Sequence, residues 1–278
     1  MQLSYSTLAC PEWKWEKAVE RAKSLGYQGI EWRIIDGSLI SADLPVETCH
    51  KVRAGVKAAG LKTCALDASV QLAVPPGDAR EKVVAETNGM LKVAHELGAP
   101  ILRVFTGQYP PATSDDTAVS WVTDCLARVL PTAKELGIIV ALEVHSFDGR
   151  GKNVNGTSDS ALCRRVVEAC KSSSLGILWD VGNPYNEGES LKETWENVKG
   201  HVTYLHVKDE KKLPSGEWKY VLCGEGDVEL REMFALLKKD GFTGWASFEW
   251  EKKWHPELAE PDVALPHYVK AMRTLGAV

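Results

Sequence analysis

Eight short apolar runs, each followed by a stretch of helical period, constrain this chain more than any other feature. The runs are QLSYSTLA (2–9), GIEWRI (29–34), LKTCALDA (61–68), ILRVFTG (101–107), IVALEVHS (139–146), LGILWDVGN (175–183), VTYLHVKD (202–209) and WASFEWE (245–251). All are rich in β-branched or aromatic residues, which suits strands buried on both faces. Segments such as WEKAVERAKSLG and DDTAVSWVTDCLARVLPTAKELG lie between them and carry apolar residues at helical spacing. Gly26, Gly60, Gly98, Gly137, Gly200 and Gly241 stand where helices should stop, and Asp115, Asp116, Ser158 and Asp159 where they should start. Strand then helix, eight times, in a chain slightly longer than the usual ~250 residues predicts a single-domain (β/α)8 TIM barrel over residues 1–278. A doubly wound open sheet would carry a glycine-rich turn after its first strand, where this chain reads TLACPEWKW.

Composition narrows the partners. Of 278 residues, 44% are hydrophobic and 26% charged, and the net charge is −5. With no basic stripe, a nucleic-acid partner is not expected. There is no apolar run near 18 residues and no secretory leader, so neither a membrane partner nor export is expected, and a cytoplasmic location is. Seven scattered cysteines, without a CxxC pair, read as small core residues in a reducing compartment. A homo-oligomer is compatible with all of this.

Chemistry in such barrels sits at the C-terminal ends of the strands. Glu143 and His145 close the fifth run, Asp180 the sixth, His206 and Lys208 the seventh, and Glu249 with Glu251 the eighth. Residues two apart share a strand face, so Glu143, Asp180, His206 and Glu249 should converge. Three carboxylates together would repel and hold protons unless a cation joins them. One divalent metal ion is therefore expected, manganese first, with magnesium, cobalt or zinc as alternatives. His145 is placed beside it as a proton carrier or as a hydrogen-bonded supporting group. Lys208 could steady an oxyanion or pair with Asp180 or Glu249.

These residues resemble the xylose isomerase-like barrels, the sugar phosphate isomerase/epimerase superfamily. The resemblance spans the whole chain and rests on Glu143 in ALEVH, Asp180 in WDVGN, His206 in LHVKD, Glu249 in SFEWE and the turn GEGD (224–227). It implies that Glu143, Asp180, His206 and Glu249 are the metal ligands. Two departures stand out: Asn183 occupies the place of a histidine usual in ketose 3-epimerases, and KDEKK lacks an arginine expected after the histidine ligand.

The function expected is metal-dependent isomerisation or epimerisation of a small-molecule sugar or polyol-derived ketone through an enediolate. Glu143 and Glu249 would move the proton, with His145 and Lys208 in support. Asn183, Trp32, Arg33 and Trp254 are the candidate substrate contacts, the two indoles as platforms for a sugar face. The same enolate could instead drive β-elimination, as in a dehydratase or a lyase of 3-keto-glycosides. Apurinic-site endonuclease chemistry would need more histidines and a basic surface, and a non-catalytic sugar-binding barrel would not need four converging polar groups. Glu31 and Arg103 are expected to form ion pairs inside the barrel. Asp227 is expected to cap a helix, and residues 148–156 to form a loop or lid over the mouth.

Overall fold

The computed structural model of the protein describes residues 1–110, 112–145 and 159–278. All eight apolar runs form parallel strands: β1 Gln2–Tyr5, β2 Gly29–Trp32, β3 Lys62–Gln71, β4 Ile101–Phe105, β5 Ile139–Glu143, β6 Leu175–Asp180, β7 Val202–Val207 and β8 Trp245–Phe248. Hydrogen-bonded neighbours run β1, β8, β7, β6, β5, β4, β3, β2. The ring is brought nearly to closure between β1 and β2 by a bridge from Ser6 to Glu31 and by the Gln28 amide donating to the Leu3 carbonyl. Among the described residues eight helices surround it: α1 Trp15–Leu25, α2 Val46–Ala58, α3 Asp78–Leu97, α4 Asp115–Leu136, α5 Asp159–Cys170, α6 Leu191–Val198, α7 Leu230–Lys239 and α8 Pro261–Leu275. A one-turn helix, Asn183–Asn186, lies between β6 and α6. Gly26, Gly98 and Gly137 end α1, α3 and α4 in the left-handed conformation, as their positions predict.

Strand alternation sorts the side chains into two environments. Out-of-phase residues such as Ile30, Leu102, Leu142, Trp179 and Phe248 pack outward into the main apolar cluster that includes the helices. In-phase residues fill the lumen. Its floor is a separate buried cluster of Cys64, Ala65, Ile101, Ala141, Leu178, Tyr204 and Trp245. Charged side chains stand above that floor, toward the strand ends. Trp32 corrects the sequence reading: it alternates with lumen-facing Glu31, is 0% exposed and belongs to the outer core, not to the mouth.

Asp227 is also corrected. Helix α7 begins at Leu230 with Glu229 in the cap position, and Asp227 instead accepts a hydrogen bond from the Lys212 amide (2.9 Å). That contact supports a feature not anticipated, an antiparallel ribbon of Asp209–Lys212 with Trp218–Val221 directly after β7. A smaller ribbon, Ile34–Ile35 with Ser38–Leu39, follows β2. All seven cysteines are free thiols, and all but Cys170 are buried. Among the described residues no helix is long and apolar enough to cross a membrane. Residues 148–156 lie outside the described residues.

Candidate active site

Alternation carries Glu143 on β5, Asp180 on β6, His206 on β7 and Glu249 just past β8 to the inner face near the strand ends. Their donor atoms lie within 4.8 Å of one another, and all four residues are buried. His206 Nδ1 stands 3.1 Å from Glu249 Oε1, 3.8 Å from Glu143 Oε1 and 4.0 Å from Asp180 Oδ2. It makes no aligned hydrogen bond to them and is sealed from solvent. Donors bound at about 2.1 Å to one ion would stand about 3.0–4.2 Å apart, depending on coordination geometry. The observed separations fall in that interval, so this set fits a divalent ion with one nitrogen and three carboxylates.

Electrostatics point the same way. Burial pushes the Glu143 carboxyl up to about 8, against the pull of Arg103, and the Asp180 carboxyl up to about 6, against that of Lys208. Burial alone would raise Glu249 too, but His206 and Lys208 more than offset it and hold that carboxyl well below its usual range. A cation would take the place of the protons that such a crowd otherwise retains.

The other nitrogen of His206 is already committed. Nε2 lies 3.0 Å from Glu31 Oε1, a carboxylate–histidine pairing that turns Nδ1 toward the three carboxylates. Behind Glu31, Asp67 accepts from the Tyr204 hydroxyl (3.1 Å) and pairs with Arg103 Nη2 (3.5 Å), while Arg103 Nε reaches Glu143 Oε2 (3.1 Å). Arg103 and Glu31 are thus interior ion-pair partners, as expected. Glu31, Asp67 and His206 themselves form a second convergent trio. Asp67 is held by Arg103 and Tyr204 and Glu31 by His206, so the trio stands behind the first cluster, with Glu31 Oε2 and Asp67 Oδ2 left without a hydrogen bond. Glu31→Gln should weaken metal binding about tenfold, read by calorimetry, while leaving the melting profile cooperative. Unchanged affinity would remove Glu31 from this orienting role.

A sequence profile of the xylose isomerase-like TIM barrels matches residues 19–273. The chain belongs to that family. An inosose isomerase of Halalkalibacterium halodurans is 25% identical over 240 residues, covering 84% of this chain and 81% of that protein. The L-ribulose-5-phosphate 3-epimerase UlaE of Salmonella paratyphi C is 22% identical over 237 residues, or 83% and 80% of the two chains. Among solved structures, the IOLI protein with a zinc atom shares the fold at a TM-score of 0.79 and 18% identity, over 99% of this chain and 98% of that one.

Other side chains shape the mouth of this xylose isomerase-like barrel. Lys208 Nζ lies 2.9 Å from Asp180 Oδ2, 3.0 Å from Glu249 Oε2 and 3.0 Å from Glu251 Oε1. Burial opposes its charge, but Asp180 and Glu249 outweigh that and keep it protonated. Glu251 also accepts from the Tyr220 hydroxyl (2.8 Å), so the ribbon after β7 is tied to the loop after β8 through the lysine's partner. Gly182 makes room: an added Cβ would lie 3.0 Å from Lys208 Cε and 3.1 Å from Cγ. Its φ of −89° suits alanine, so Gly182→Ala tests this approach sterically. The variant should bind metal normally yet lose about tenfold or more in turnover, the cost of a displaced side chain. Full turnover would show that the lysine can shift without consequence.

The GEGD turn has a local explanation. The Asp209 carboxylate accepts backbone N–H bonds from Gly224 (2.7 Å), Gly226 (3.0 Å) and Glu210 (2.9 Å), and any Cβ on Gly226 would collide with it. This clasp fixes the base of the ribbon next to Lys208. His145 lies two residues past Glu143, the last residue of β5, its ring edge-on to Phe105 (4.8 Å between centroids). Burial, then Lys208, depress it to about 3, so the imidazole is neutral. Asn183 is buried and gives Nδ2 to the Val144 carbonyl (3.2 Å), while Trp254 stands 48% exposed on the turn after β8. Arg33 reaches the lumen above Asp67. Sequence reasoning passed over Asp67 and Tyr220. A lone aspartate in LKTCALDA was the available signal for the first, whereas Tyr220 depends on an unforeseen ribbon.

Proposed function

We propose that this barrel is a divalent-metal-dependent isomerase or epimerase that moves a proton beside the carbonyl of a ketose or polyol-derived ketone. The observation that carries the reading is the convergence of Glu143, Asp180, Glu249 and the pre-oriented His206 Nδ1 at the open end of the lumen. Relatives that act on an inosose and on a ketose phosphate agree with it.

Glu143, Asp180, His206 and Glu249 would hold the ion, with manganese the first to try. When bound, it supplies Lewis-acid polarisation of a carbonyl. The protein's own part is acid–base chemistry. Glu249, kept ionised beside His206 and Lys208, is the group to take a proton from carbon, and Glu143, across the cluster and ionised once the ion is bound, would relay a solvent proton back to it. Return to the opposite face of the same carbon gives an epimer; return to its neighbour gives an isomer. Lys208, whose three N–H groups face Asp180, Glu249 and Glu251, would exchange one of these contacts for an oxygen on which negative charge grows. His145, neutral, can exchange a hydrogen bond with a substrate hydroxyl.

Proton NMR in D2O, with metal-loaded protein and a panel of ketoses, inososes, ketose phosphates and 3-keto-glycosides, tests this. Deuterium should enter beside the carbonyl with the skeleton intact. Loss of water or of an aglycone would assign the enolate to elimination and make the protein a lyase.

A further inference from the structure

We infer that Arg33 recognises an anionic group of the substrate, a carboxylate or a phosphate, on the side of the mouth opposite Asp180. The inference deepens the function proposed above and rests on the same site. Among the described residues, the lumen holds three buried basic side chains besides His206, and two are neutralised by protein. Arg103 lies between Glu143 and Asp67 at 3.1 and 3.5 Å, and Lys208 contacts three carboxylates. Arg33, 6% exposed, differs. Its Nη1 donates to the Asp67 backbone carbonyl (3.2 Å) and its Nη2 to the Ser69 hydroxyl (2.7 Å). Among the described residues no carboxylate comes within ion-pair distance of it.

Its hydrogen-bond partners are neutral, and Asp67, Glu143 and Glu249 favour its charge only from beyond ion-pair distance, so burial is incompletely compensated until an anion arrives. The geometry allows that arrival. A guanidinium has five N–H donors and two are used, so three are left. Nε makes no hydrogen bond yet is not among the atoms sealed from solvent, in contrast to Nε of Arg103. Ser69, holding the outer end of the fork, is exposed. Burial, then Arg103, lower the guanidinium to about 10, so it keeps its charge at neutral pH. Strand β2 stands across the ring from β6, so Arg33, directly after β2, faces the cluster from the side opposite Asp180.

Equilibrium binding needs no turnover and is measured first. Calorimetry on metal-loaded protein compares an unreactive polyol phosphate, an aldonate and the matching neutral polyol. One of the two anions should bind about 10- to 100-fold tighter than the neutral polyol, the range for a charge-assisted paired contact, and which one does identifies the source. Arg33→Met should abolish that ratio. Arg33→Lys should keep part of it, since charge remains and the planar fork is lost. Equal binding of neutral and anionic polyols by the wild type, or an unchanged ratio in a folded Arg33→Met, overturns the inference. Preserved anion preference with no deuterium exchange on any ketone would count against the proton-transfer reading and leave Arg33 in its role.

Discussion

Glu249→Gln should slow deuterium uptake beside the substrate carbonyl by about a thousandfold while leaving the fold intact, since the amide keeps the shape of the side chain and loses the base. The variant also separates two roles. Glu249 Oε1 faces His206 while Oε2 faces Lys208, so the amide still offers an oxygen toward the cluster but surrenders one charge-assisted contact. Metal affinity should fall moderately and the rate far more. The assay is NMR exchange at saturating manganese, with calorimetry fixing what saturating means. A rate loss no larger than the loss in metal occupancy would reassign Glu249 to ligation alone.

Chelation should lower the melting temperature, and the gap between loaded and stripped protein should widen from pH 6 to pH 8. In the metal-free chain, burial holds Glu143 up to about 8 and Asp180 to about 6, above their ordinary values of 4.5 and 3.8. A carboxyl whose pKa is raised by folding stabilises the protein fully below its unfolded value. That contribution drains away as pH climbs through the folded value. Metal-loaded protein has already released those protons and escapes the loss. At about a hundredfold excess over the dissociation constant, the ion contributes about 2.7 kcal/mol, or a shift of about 5–10 °C for a chain of this length. Scanning calorimetry with and without chelator at the two pH values measures it. A gap that narrows toward pH 8 would mean that protons do not compete for the site.

What the sequence revealed depended on one rule. Period-2 alternation, applied to ALEVH, WDVGN, LHVKD and SFEWE, places Glu143, Asp180, His206 and Glu249 on a single inner face, and they meet there. The same rule applied to GIEWRI would have sent Trp32 outward, because Glu31 and Arg33 take the inner positions. Trp32 was misplaced by residue type, since an indole near a loop resembles a sugar platform whatever its phase. Asp227 failed for a different reason. A capping residue near a helical pattern is persuasive, yet two further residues precede α7, and the carboxylate found a strand amide first. Tyr220 and the clasp around Asp209 required knowing that KDEKKLPSGEWKYV doubles back into a ribbon, and this polar stretch has no apolar face to announce it. The pairing of Glu31 with His206 joins positions 175 residues apart, a distance across which local patterns carry no information.

The apolar plug beneath the charged residues has a consequence for traffic. Tyr204, Trp245 and their neighbours stop the barrel from below, so solvent, substrate and product share one doorway at the strand ends. Product must leave before the next substrate enters, and the two compete for the same vestibule.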